Sequence, residues 1–298
     1  MQPSVFTNDT LSKHYTTAID ALCEIARASF FLGRMEDALH ILRTSLHLIE
    51  AGKVAPEDRL KLLLLYGKVL TVDHLLRRDD PDLMFATIRQ AQQLAESMAD
   101  QQGRADALSL LGQAHCNATT IALLKRGALP FGSQEQGYKD ALALQQQALT
   151  LQETLHDTRG ISESLFGIGL VHQFWQQHEV AREHFTKALQ VAEQSGHMLE
   201  QAEPHRHLTM DALFRGDLDV ALSHAQQALS FREAGGFRPY QPFDHLTLRD
   251  IYLKKGDAAQ AKFHLERASA LAEEMGLTAL LSSAIDATNR LGTQPEEA

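Results

Sequence analysis

Small apolar residues return along the chain at a fixed interval: Ala181, Ala221 and Ala261 lie 40 positions apart, and Ala188, Ala228 and Ala268 repeat seven residues behind them. Gly196, Gly236 and Gly276 keep the same interval, as do Gly216 and Gly256. Self-similarity at this period marks a stack of helical units, each burying its apolar face only against its neighbours. In the clearest copy, Leu165, Ile168 and Gly169 lead one helix, while Ala181, Phe185 and Ala188 mark a second. Small residues at such positions let two antiparallel helices approach closely, and the large ring fills the space beside them.

The turns follow the same rhythm. Arg215-Gly216-Asp217 and Lys255-Gly256-Asp257 place a glycine where a first helix must end and an aspartate where a second begins. Glycine accepts the left-handed closing conformation, and aspartate accepts hydrogen bonds from the orphan N–H groups of the next helix. Gly33 marks this turn in the first copy, whereas the fourth carries Gln176 there. The second copy runs roughly over 57–100, with a longer turn around 77–82. The third holds an insertion, 125–140, in which Gly127, Pro130, Gly132 and Gly137 predict a loop and Leu129, Phe131 and Tyr138 supply apolar anchors. After Gly276, the amphipathic stretch Leu277 to Leu291 predicts a helix that caps the array. The expected organisation is a tail over 1–10, a repeat array over 11–291 with the 125–140 loop, and a tail over 292–298.

Composition adds limits. Hydrophobic residues make up 44% of 298 residues and aromatics only 6%, a helix-rich balance in which Ala, Leu and Gln abound. A formal charge of −10 with no basic stripe argues against nucleic acid as the main partner. Cys23 and Cys116 cannot build a disulfide framework, and the first ten residues have no basic segment leading into an apolar one, so a cytoplasmic location is expected. The most apolar run, Leu60 to Leu70, is interrupted by Lys61 and Lys68 and too short to span a bilayer; it reads as a buried helix.

The helix, turn, helix plan with small residues at the crossing resembles the tetratricopeptide repeat family over about residues 11 to 291. The 40-residue unit is similar to the longer-helix version found in kinesin light chain, the Rap regulators and the sensor region of MalT-like activators, against roughly 34 residues in the usual repeat. The resemblance implies an all-α, right-handed superhelical solenoid of about six helix pairs plus the C-terminal capping helix.

It also implies that the first helix of each unit lines a concave face. The family's offsets select Ser109, Gln113, Cys116 and Asn117; then Phe166, Leu170, Gln173 and Phe174; then Arg206, Met210, Leu213 and Phe214; and last Leu246, Asp250 and Lys254. Asn117, Phe166, Leu170, Phe174, Arg206, Met210, Phe214, Leu246 and Asp250 are the expected partner-binding residues, with Phe131 and Tyr138 as a lid. The chain has only Asn8, Asn117 and Asn289 to set against the groove asparagines of many peptide-binding relatives. This favours an apolar segment, a helix or a small hydrophobic molecule as the ligand.

The expectation is therefore a non-enzymatic adaptor or regulator, with a sensor of a small hydrophobic molecule beneath the 125–140 loop as the alternative and an enzyme on a repeat scaffold as a third reading. No metal, cofactor or membrane is implied. Glu203, His207 and Asp211 share one helical face at four-residue spacing, which suits either chemistry or simple ion contacts. His184, His224 and His264 keep the 40-residue interval, and residues that recur with the repeat read as structural.

Overall fold

The computed structural model describes residues 8–51 and 54–292. They form antiparallel helix pairs in chain order: α1 (Asn8–Phe31) with α2 (Met35–Ala51), α3 (Pro56–Arg77) with α4 (Asp82–Ser97), and α5 (Gln101–Lys125) with α6 (Gln136–Leu155). There follow α7 (Thr158–Phe174) with α8 (His178–Gln194), α9 (Ala202–Phe214) with α10 (Leu218–Ala234), α11 (Gln241–Lys254) with α12 (Ala258–Glu274), and a last helix α13 (Thr278–Gly292). A 3₁₀ turn at Leu199–Gln201 leads into α9, and the described residues contain no strand. This is the six-pair, all-α repeat the interval predicts. Helix α1 already begins at Asn8, inside the stretch expected as a tail; residues 1–7 and 293–298 lie outside the described residues.

Each second helix packs on its own partner and on the first helix of the next pair. The first helices are thus enclosed on several sides. Leu62, Leu63, Tyr66 and Val69 of α3 are all buried, and its two lysines point away, Lys61 to Asp20 at 2.6 Å and Lys68 to Glu163 at 3.3 Å. Close approach at the crossings has the expected cause: a Cβ on Gly169 would lie 2.7 Å from the ring of Phe185. The turns also match. Asp217 and Asp257 accept hydrogen bonds from the backbone of Val220 and Gln260, and Gln176 adopts the left-handed φ of 60° that Gly216 adopts at 76°.

The insertion is shorter than predicted. Helix α5 runs on to Lys125 and α6 begins at Gln136, so only 126–135 is loop and Tyr138 is helical.

The two ends of the array meet. The turn after α1 lies against the segments that follow α10 and α12: Phe30 and Phe31 pack edge-on against Phe237 at 5.3 and 5.4 Å, and the Arg238 N–H donates to the Phe31 carbonyl at 2.9 Å. Met275 closes over Gly33, and Arg238 pairs with Glu274. One turn of the array therefore brings an edge of the first pair onto the opposite edge of the last two.

Candidate interaction surface

The enclosure of the first helices changes the expected groove. Leu246 is buried in the main core and Tyr138 has no exposed surface, which corrects the expectation that either meets a partner. Their positions put them at helix crossings, where burying an apolar side chain stabilises the fold. Phe166 is half-buried between Phe185 and His207, with ring centroids 5.7 and 5.2 Å away. Leu170 and Phe174 pack around Cys116, Tyr138 and Val171. Asn117 reaches the Thr71 carbonyl of the preceding pair, Arg206 lies 3.6 Å from Glu203, and Asp250 lies 2.7 Å from Arg249. These side chains serve the array. The lid expectation changes as well: Phe131 packs on Phe174 at 5.6 Å, so the loop covers the end of α7.

Of Glu203, His207 and Asp211, the first two lie 3.8 Å apart, while Asp211 turns to other partners. Asp211 binds Arg182 at 2.8 Å and Arg215 at 3.2 Å. The His207 Nδ1–H donates to the Gln173 side-chain amide oxygen at 2.6 Å. Burial, with Arg206 nearby, pushes this imidazole down to about 3 despite Glu203. Burial pushes the Glu203 carboxyl up, but Arg232, Arg206 and His207 outweigh it and hold the carboxyl at about 2. The Cys116 thiol is pushed up to about 12 by burial, which leaves it a core hydrophobe rather than a nucleophile.

The recurring histidines form pairs within the helix pairs, as residues that serve the repeat should. His205 and His224 face each other with Nδ1 atoms 2.8 Å apart, and His245 and His264 repeat this at 2.9 Å. Each pair shares one proton, with one ring donating to the other. Burial, reinforced by His224, lowers the His205 pKa to about 4. That lies below its unfolded value, so the unfolded chain takes up the proton first as pH falls. The pair's contribution is complete above about pH 6.5 and is lost towards pH 4. In urea denaturation, acidification from pH 7 to 5.5 should cost the wild type about 1 kcal/mol more than it costs His205→Phe; equal losses would show that the pair does not resist protonation.

Of the expected partner-binding residues, those that remain exposed lie at the end of α9. Phe214 is 72% exposed and Met210 38%. The His178 ring stacks on Phe214 with centroids 4.4 Å apart and planes 18° from parallel. Beside them opens a cleft of about 440 Å³ lined by Gln176, Gln177, His178, Glu179, Val180, Arg182, Phe214 and Arg215. The sequence singled out Phe214 and Met210 but not the other wall. Its signal was present, since His178 stands 40 residues after Tyr138.

Paired helices, glycine-position turns and a shared interval define a tetratricopeptide-like all-α repeat protein. Residues 133–194 match the model of the family described as tetratricopeptide repeat. BtubC (BKLC) from P. vanneervenii is similar in structure, with a TM-score of 0.50 over 89% of this chain and 92% of that one at 14% identity. A Rap protein complexed with competence and sporulation factor gives 0.48 over 93% and 88% at 12% identity. A signal transduction ATPase with a tetratricopeptide repeat sensor, PH0952 from Pyrococcus horikoshii, gives 0.48 over 97% of this chain and 40% of that one at 13%. At such identities the likeness concerns the fold alone. No curated protein sequence matches the chain. Among the described residues no helix is long and apolar enough to cross a membrane.

Proposed function

We propose that this chain is a non-enzymatic interaction protein that binds a protein or peptide partner at the cleft beside Phe214. The observation that carries this reading is the exposure of a large aromatic ring, the most exposed phenylalanine among the described residues, at a helix end over a 440 Å³ cleft. Exposed aromatic anchors flanked by charged residues are the usual energetic centres of protein interfaces. The nucleophilic and acid–base groups inside the array are tied to structural partners or held neutral by burial, which supports binding rather than turnover. The function is then regulatory or adaptor-like, as for tetratricopeptide-like arrays generally.

Immobilised wild-type protein is expected to retain a specific partner from cells of origin, and Phe214→Ala to lose it while keeping the wild-type melting temperature. The same set of proteins retained by both would overturn the reading.

A further inference from the structure

Three first helices end in phenylalanine at equivalent positions. Phe31, Phe174 and Phe214 each stand two residues before a left-handed turn residue, at Gly33, Gln176 and Gly216. At two of these ends the structure shows what the position does. The Phe174 carbonyl accepts the backbone N–H of Gly132 at 2.7 Å, and its ring packs on Phe131. The Phe31 carbonyl accepts the backbone N–H of Arg238, and its ring packs on Phe237. The two arriving segments are unrelated in origin, one a loop within the third pair and the other the connection between the last two pairs. They nevertheless make the same two contacts. Each presents a phenylalanine whose ring covers the helix-end ring, followed by a residue whose N–H caps an orphan carbonyl of the helix end. Each is a turn rich in glycine and proline, Leu-Pro-Phe-Gly in one case and Gly-Phe-Arg-Pro in the other. The physical logic is common to both: a helix end leaves carbonyls unpaired, and an exposed ring beside them gains from being covered.

The third end repeats the construction. His178 stacks on Phe214 at the place where Tyr138, 40 residues earlier, stacks on Phe174, and the planes meet at 18° in both cases. The difference lies in the preceding connection. Residues 126–135 reach over to Phe174, whereas the link between α7 and α8 is only 175–177 and cannot reach Phe214. Among the described residues no hydrogen bond reaches the Phe214 carbonyl, and the space a Cβ on Gly216 would occupy is open. The 440 Å³ cleft opens beside Phe214 and His178, whereas the loop residue Phe131 lies beside Phe174.

We propose that the end of α9 is a third copy of this socket, and that it takes a phenylalanine-bearing turn of a partner protein. The partner's ring covers Phe214 with His178 behind it, and the N–H of the following residue donates to the Phe214 carbonyl. This rests on the reading that the cleft binds a protein partner and adds the chemistry of what it binds. The chain's own plugs are the evidence for that chemistry.

The test uses a synthetic peptide with the sequence of residues 127–134, Gly-Ala-Leu-Pro-Phe-Gly-Ser-Gln, titrated into the full-length protein. Trp175, the single tryptophan of the chain, adjoins the cleft residue Gln176 and reports binding, and the peptide contains no tryptophan. Saturable binding is expected. Replacing the peptide phenylalanine by alanine, or Phe214→Ala in the protein, should each weaken it at least about tenfold, as loss of an aromatic anchor does. No saturable response up to millimolar peptide would overturn the proposal. So would equal affinity for wild type and Phe214→Ala, because the peptide would then be displacing the loop from Phe174. A cellular partner that depends on Phe214 but is not displaced by the peptide would leave the binding function standing and sink the socket chemistry.

Discussion

Arg232→Met should destabilise the protein by about 3–5 kcal/mol, because it strands the buried Asp244 carboxylate and the partly buried Glu203 carboxylate. Arg232 on α10 is 3% exposed; it binds Glu203 of α9 at 2.8 Å and Asp244 of α11 at 2.5 Å, and lies 5.0 Å over the Tyr240 ring. Replacing one cation by an apolar side chain of similar length keeps the volume and removes the compensation. Glu203 and Asp244 would then face each other across low-dielectric surroundings with Arg206 as their nearest remaining counter-charge. Since the cluster joins the fifth pair to the sixth, the loss should appear as a lower urea midpoint. Adding Glu203→Gln and Asp244→Asn to Arg232→Met should recover part of the loss, as the buried charge is then removed from both sides. A single substitution within about 0.5 kcal/mol of wild type would show that water compensates these groups and that the cluster does not hold the pairs together.

Phe185→Ala should cost about 3–5 kcal/mol, whereas Phe214→Ala should stay within about 0.5 kcal/mol. Phe185 is fully buried on α8, against the bare Cα of Gly169 and within reach of Phe166, His207 and Leu208. Removing its ring leaves a cavity at the crossing of two helices that cannot close without bending one of them. Phe214 covers little beyond the His178 ring, so its removal leaves no cavity. Thermal or urea denaturation of the two variants separates them. Equal losses would mean that Phe214 belongs to the core, and the case for a partner surface there would fail.

Much of the architecture was legible because a repeat states its local rules several times. The interval of Ala181, Ala221 and Ala261 gave the pairing, and the turn at Gly216 and Asp217 gave both the break and the cap of the next helix. The apolar run Leu60 to Leu70 likewise read as a buried helix, and it lies within α3. Local rules of this kind depend on neighbours within a few residues, and those neighbours are fixed by the chain itself.

The site was only half legible. Phe174 and Phe214 occupy the same position in their units and are indistinguishable by periodicity, yet one is covered by Phe131 and the other stands exposed. Leu246 occupies a groove offset and is core. Phe31 meets Phe237 from the opposite end of the chain.

By itself, then, the sequence determined that this protein is a stack of helix pairs and where the glycine-position turns fall, while the ends of α1 and α6 lay elsewhere than the local signals placed them. The tertiary structure alone decided which apolar faces are covered, because that depends on the curvature accumulated over several pairs and on how far each connection reaches. Ten residues between α5 and α6 bring a ring onto Phe174, and three between α7 and α8 leave Phe214 facing solvent.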